Sequence, residues 1–166
     1  IGLARMLDLK KDYDGAISEL RKAYYGTQNL YQKSEASYSL GAAFMKKGEV
    51  SVARKYFEET TTLNPTYPMG WYGLGGALFA QATDRNSQIS DEIRGNLMKS
   101  SLDVIYKAIG LNPNQSLAFF KLGMQYSLIG QPDKAIEALV EGIRIVSLML
   151  RWEILSESLC WCISFR

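Results

Sequence analysis

Hydrophobic residues recur every three or four positions along most of this chain, in segments separated by short polar turns, the signature of amphipathic helices. The clearest segment holds Trp71, Leu74, Gly75 and Leu78: an aromatic, an aliphatic, a notch and an aliphatic on one helical face. The same order returns at Leu40, Gly41 and Phe44 and at Phe119, Leu122, Gly123 and Tyr126, with a weaker copy at Leu3, Ala4 and Leu7. A glycine inside a helix costs about 1 kcal/mol relative to alanine. Three at one phase of one pattern predict that another backbone comes close there. A second stripe follows each copy: Ala16, Leu20 and Ala23, then Ala53 and Phe57, then Ile105 and Ala108, then Ala135 and Leu139. Each unit therefore reads as two helices packed face to face.

The turns place the boundaries. Ile1 to Leu9 reads as the end of a first helix, and Asp12 to Tyr25 as its partner, closed by Gly26 as C-cap. Extra residues around Gln28 to Gln32 lengthen the next connection. A first helix ending at Lys46-Lys47-Gly48 and a second over Ser51 to Leu63 follow; Asn64-Pro65 stops the latter, since proline cannot continue the ladder. Pro68 to about Ala82 and Ser90 to Ile109 form the next pair, ended by Asn112-Pro113. Ile89, Ile93, Leu97 and Leu102 have the spacing of a buried stripe. Ser116 begins the last regular pair, turning at Gly130-Gln131-Pro132-Asp133. Beyond Val146, Trp152, Leu155, Ser156 and Leu159 fall 33 residues after Phe119, Leu122, Gly123 and Tyr126, and predict the first helix of a fifth unit. No Asn-Pro precedes it, so one continuous helix is the alternative.

Written out, the unit is W-x2-L-G-x2-Y, then A-x3-F, then P. It resembles the tetratricopeptide repeat, whose period is about 34 residues. Gly41 to Gly75 is 34 residues, Gly75 to Gly123 is 48, or 14 more, and Ala4 to Gly41 is 37, or three more. The resemblance divides a single array over 1–166 into repeats at about 1–30 (partial), 34–67, 68–115 with the 14-residue insertion, 116–149, and 150–166 as a partial fifth repeat or capping helix. The insertion is expected to add two turns to each helix of its pair.

The resemblance implies an all-α fold, an α-solenoid wound as a right-handed superhelix of helix-turn-helix repeats. It implies a non-catalytic scaffold or adaptor that binds an apolar peptide or helix of a partner along the concave face of the first helices. Leu40, Trp71, Leu74, Phe119 and Leu122 are core positions. Positions offset from that stripe form the expected groove: Tyr38, Met45, Met69, Tyr72, Phe79, Phe120 and Met124, with Ala42, Gly76, Leu117 and Ser127 among them. Co-chaperone members of the family clamp a peptide carboxylate with basic and amide side chains. The matching positions here are Ile1, Arg5, Ser39, Met69 and Gly73, or one repeat later Tyr38, Ala42, Gly73, Leu117 and Lys121. With Arg5 or Lys121 alone, no carboxylate-clamp partner is expected. Two other readings stay open: a structural spacer in a larger assembly with its groove filled internally, and a regulatory arm of an enzyme lying outside this fragment. Self-association through the apolar tail belongs to the first of these.

Composition narrows the chemistry. The 166 residues carry a formal net charge of +2 and no histidine, which removes the commonest general base and histidine metal sites. No nucleophile–base pairing, cofactor motif or metal set is legible, and no enzymatic activity is expected. Basic residues are scattered, so neither nucleic acid nor an anionic membrane is an expected partner. Cys160 and Cys162, one residue apart, are poorly spaced for a disulfide and supply half of a structural zinc set. They read as free thiols in a reducing, cytoplasmic setting. Asn114-Gln115-Ser116 matches a glycosylation triplet, a pattern common by chance. Opening on Ile1 inside a helical pattern, the chain reads as a fragment.

Overall fold

A computed structural model describes residues 12–163, with side chains over 12–151. The expected first helix over Ile1 to Leu9, and Arg5 with it, lie outside the described residues. The described residues form seven helices and no strand: α1 (Tyr13–Gly26), α2 (Leu30–Lys47), α3 (Val50–Leu63), α4 (Pro68–Thr83), α5 (Asp91–Leu111), α6 (Ser116–Leu128) and α7 (Pro132–Ile163). The architecture is an α-solenoid of antiparallel helix pairs, falling into two compact units, Ile1–Leu111 and Asn112–Arg166.

Local chemistry sets the helix ends. Asp12 caps α1 by accepting from the Gly15 N–H at 2.9 Å. Gly26 is not the expected C-cap: it is the last helical residue, and Thr27 closes the helix in an extended conformation. Asn29 caps α2, accepting from the amides of Tyr31 and Gln32 at 2.9 and 3.2 Å. Leu30 to Gln32 therefore extend α2 by most of a turn instead of lengthening the connection. At its other end Gly48 takes the left-handed conformation, φ 87°, and its N–H returns to the carbonyls of the last turn.

The 14 inserted residues are not shared equally between two helices. Counted from the motif glycine, α4 outlasts α2 by two residues, the 84–90 loop exceeds the 48–49 turn by five, and α5 exceeds α3 by seven. Thr83-Asp84 carries turn-forming residues that stop α4 early, whereas Asp91 and Glu92 suit the first turn of α5. The predicted stripe on the insertion is only partly buried, and Ile93 is 49% exposed. Arg94 reaches back from α5 and donates to the carbonyl of Ala82, in a last turn of α4 that has no basic residue of its own.

In the first unit α1 packs on α2, α2 on α3, α3 on α4 and α4 on α5, and α2 also meets α4. Leu40, Phe44, Phe57, Leu74 and Leu78 centre its core. At Gly41 and Gly75 the repeated glycines have a different role from the one expected. A Cβ on Gly41 would lie 2.7 Å from the Phe57 ring, on Gly75 2.6 Å from Ile105, and on Gly123 2.6 Å from Leu139. Each notch admits a large side chain from the second helix of its own pair; at Gly123 the expected backbone approach is present as well, with the Ala135 carbonyl oxygen 3.2 Å from an added Cβ. Gly73 meets the same Phe57 ring at 2.4 Å, so two glycines from consecutive first helices enclose one ring.

In the second unit α6 packs on α7. Helix α7 runs unbroken to Ile163, so no separate first helix of a fifth repeat forms. The reason is local: Arg144 to Arg151 contains neither proline nor glycine, and nothing there stops the ladder.

Candidate functional site

The face of α2 and α4 that was expected to form a groove carries a cluster of tyrosines in the first unit. Tyr38 projects from the middle of α2. Its ring lies 5.7 Å from Phe57 in a tilted contact and 5.7 Å from Tyr67, edge to face. These are favourable geometries for aromatic quadrupoles. Tyr67 sits just ahead of α4, after the Asn64-Pro65 break, and Tyr72 lies on the first turns of α4. Burial, with further contributions from Tyr67 and Tyr72, pushes the Tyr38 hydroxyl up to about 12. Burial likewise raises Tyr67, which also feels Glu35 and Tyr31, and raises Tyr72. At neutral pH all three therefore present protonated hydroxyls.

Tyr31, Glu35 and Tyr67 are absent from the expected groove set. Tyr31, Glu35 and Tyr38 lie four and three residues apart, one stripe of α2. The stripe is legible in the sequence once α2 begins at Leu30, behind its Asn29 cap, and not after Gln32. Tyr31 is exposed and Glu35 half-buried, so the cluster has an open end that carries an acidic group.

The remaining expected residues divide. Met69 and Tyr72 are half-buried beside the cluster on α4, and Met45 is half-buried against the core. Phe79 is 8% exposed and therefore a packing residue, not an open contact position. In the second unit Phe120 lays its ring on Gly142, where an added Cβ would stand 2.9 Å away, while Met124 is 54% exposed. Lys121 is substantially buried, and desolvation lowers the pKa of its ammonium group.

Two surface clefts lie elsewhere in the first unit, lined by none of the tyrosines of the cluster. One, of about 630 Å³, is lined by Asp14, Arg21, Lys22, Tyr25, Phe44, Lys47 and Glu49. Lys47 bridges Asp14 and Glu49 at 2.8 Å each there, a surface arrangement of small energetic weight. The other, of about 810 Å³, lies between the start of α3 and the insertion, with Val50, Val52, Ile89, Ile93 and Leu97 on its apolar wall. Among the described residues no group of three or more His, Cys, Asp or Glu could hold a metal ion, and no helix is long and apolar enough to cross a membrane.

A family model described as tetratricopeptide repeat matches residues 117–140, from α6 into α7. No curated protein matches the chain. Among solved structures, MamA is 29% identical, with a TM-score of 0.66 over 87% of this chain and 75% of its own. A thermophilic TPR protein of Thermus thermophilus is 25% identical, with a TM-score of 0.77 over 87% and 72%. YrrB, described as a TPR protein with an unusual peptide-binding site, is 21% identical, with a TM-score of 0.64 over 87% and 66%, a likeness of fold alone.

Proposed function

We propose that this chain, an α-solenoid of tetratricopeptide-type helix pairs, is a non-catalytic interaction scaffold that holds an apolar peptide or helix of a partner on the first-helix face of its first unit. The observation that carries this reading is the tyrosine cluster, Tyr31, Tyr38, Tyr67 and Tyr72, contributed by two consecutive first helices and the connection between their pairs. Aromatic side chains offer large, stiff contact area at low entropic cost, and few such anchors supply most of the energy of many interfaces. The hydroxyls donate to peptide carbonyls while the ring faces bury aliphatic side chains. Glu35 at the open end disfavours a peptide that places an acidic group there.

The second-unit residues contribute unequally. Met124, exposed and adaptable, suits a contact residue. Phe120 supports α7 through Gly142, and a charge there would damage the fold before it tested a groove.

The test is selection of peptides from a random library on the immobilised chain, followed by titration of the selected sequences. Apolar peptides should emerge, and Tyr72→Glu combined with Tyr67→Glu should weaken them at least tenfold with helix content unchanged. If that double variant binds the selected peptides as the parent does, the tyrosine face is not the site.

A further inference from the structure

We propose that the chain forms a domain-swapped dimer in which the distal part of α7, residues 152–163, lies across the exposed face of α7 in a second copy. The argument starts from what covers a second helix elsewhere in the molecule. Helix α3 is covered by the first helix of the next pair, α4. Arg54 donates to the Gln81 side chain at 3.1 Å, Gly73 receives Phe57, and Gly70 lies against Thr60 and Thr61.

Phe57 and Leu139 fill the motif glycine of their own pairs and so mark the same repeat position. On that register Arg54 corresponds to Ile136 and Thr61 to Ile143. Ile136 and Ile143 are 59% and 57% exposed. The places that meet the next first helix on α3 are thus apolar and open on α7. The opposite side of α7, with Ala135, Ala138, Gly142 and Ile145, is buried.

The sequence that should cover this face is in the chain. Trp152, Leu155, Ser156 and Leu159 carry the first-helix pattern. Asn-Pro stands eleven and ten residues before Gly75 and before Gly123, and there the chain turns back. The matching residues before Ser156 are Ile145 and Val146, which continue the helix. At 1.5 Å per residue, Trp152 lies about 14 Å beyond Ile143 along the axis and the segment recedes from there. A straight α7 cannot cover its own face. A second copy can, reciprocally, by the exchange of an identical element that gives closed two-fold dimers.

Sedimentation of the full chain should give twice its 18.6 kDa mass at micromolar concentration. Ile136→Glu with Ile143→Glu damages the face at exposed positions, and Leu155→Glu with Leu159→Glu damages the segment. Each should sediment as a monomer with parental helix content. Mixed, they should recover a dimer, because the intact segment of one meets the intact face of the other. A monomeric parent overturns the proposal. So does a dimer indifferent to the face substitutions, or a mixture that stays monomeric, the outcome expected of face-to-face pairing without exchange.

Discussion

Gly73→Ala tests the packing logic at its tightest point. A methyl group at this position would stand 2.4 Å from the Phe57 ring, and the ring's opposite retreat is closed by Gly41, whose own added Cβ would lie 2.7 Å away. The substitution gains about 1 kcal/mol of helix propensity. Against that stands overpacking, which costs about 1–3 kcal/mol where side chains cannot yield. With the ring enclosed on two sides the upper half of that range applies, leaving a net loss of about 1–2 kcal/mol. For a chain of this size each kcal/mol moves the thermal midpoint by about 2–4 °C. Gly95→Ala in α5 is the matched control, since nothing lies within 4 Å of its added Cβ. It should raise the midpoint by the propensity gain alone. Thermal melts followed by circular dichroism compare the two. Phe57→Leu in the Gly73→Ala background should recover part of the loss, a non-additive result expected only of residues in contact. If Gly73→Ala stabilises as Gly95→Ala does, the enclosure of Phe57 between two helices is wrong.

Other expectations follow from single interactions. Tyr38 titrates at 10 when unfolded and about 12 when folded, so its neutral form contributes stability fully below pH 10, lost as pH rises toward 12; Tyr38→Phe should flatten that alkaline limb, worth on the order of 2–3 kcal/mol, in urea midpoints taken across the window. Lys107 sits 3.6 Å over the Trp71 ring, whose Nε1 donates to the Pro65 carbonyl at 2.8 Å. Lys107→Met should cost about 0.5–2 kcal/mol in urea unfolding, and an unchanged midpoint would remove the cation–π contact from the account. Arg94→Ala releases the Ala82 carbonyl, so amides of 83–95 should exchange faster while those of α2 and α3 do not. Glu59 accepts from the hydroxyls of Tyr24 and Ser37, joining three helices. Glu59→Ala should therefore destabilise by about 1–3 kcal/mol, where a surface glutamate would cost little.

Spacing and proline placement determined the helix pairs, their breaks at Asn64-Pro65 and Asn112-Pro113 and the phase of the core, while the solenoid class came through the resemblance those residues carry to the tetratricopeptide repeat. These depend on period and on proline and glycine, which act within a few residues. Spacing also located Tyr38 and Tyr72 on the first-helix face. What fills a notch is a different matter, because Gly41 and Phe57 are sixteen residues apart and a period does not say which side chain enters. Sequence spacing likewise placed Phe79 and Phe120 with the groove, whereas packing buried the one and laid the other on Gly142. Tertiary placement joined Tyr67 to Tyr38 across the whole of α3. The unbroken course of α7 was open in the sequence, where a repeat pattern and the absence of a break pointed opposite ways. A helix stops where the backbone is denied a donor or a favourable φ, and neither happens between Arg144 and Arg151, so the local term prevailed over the repeat and left Ile136 and Ile143 exposed.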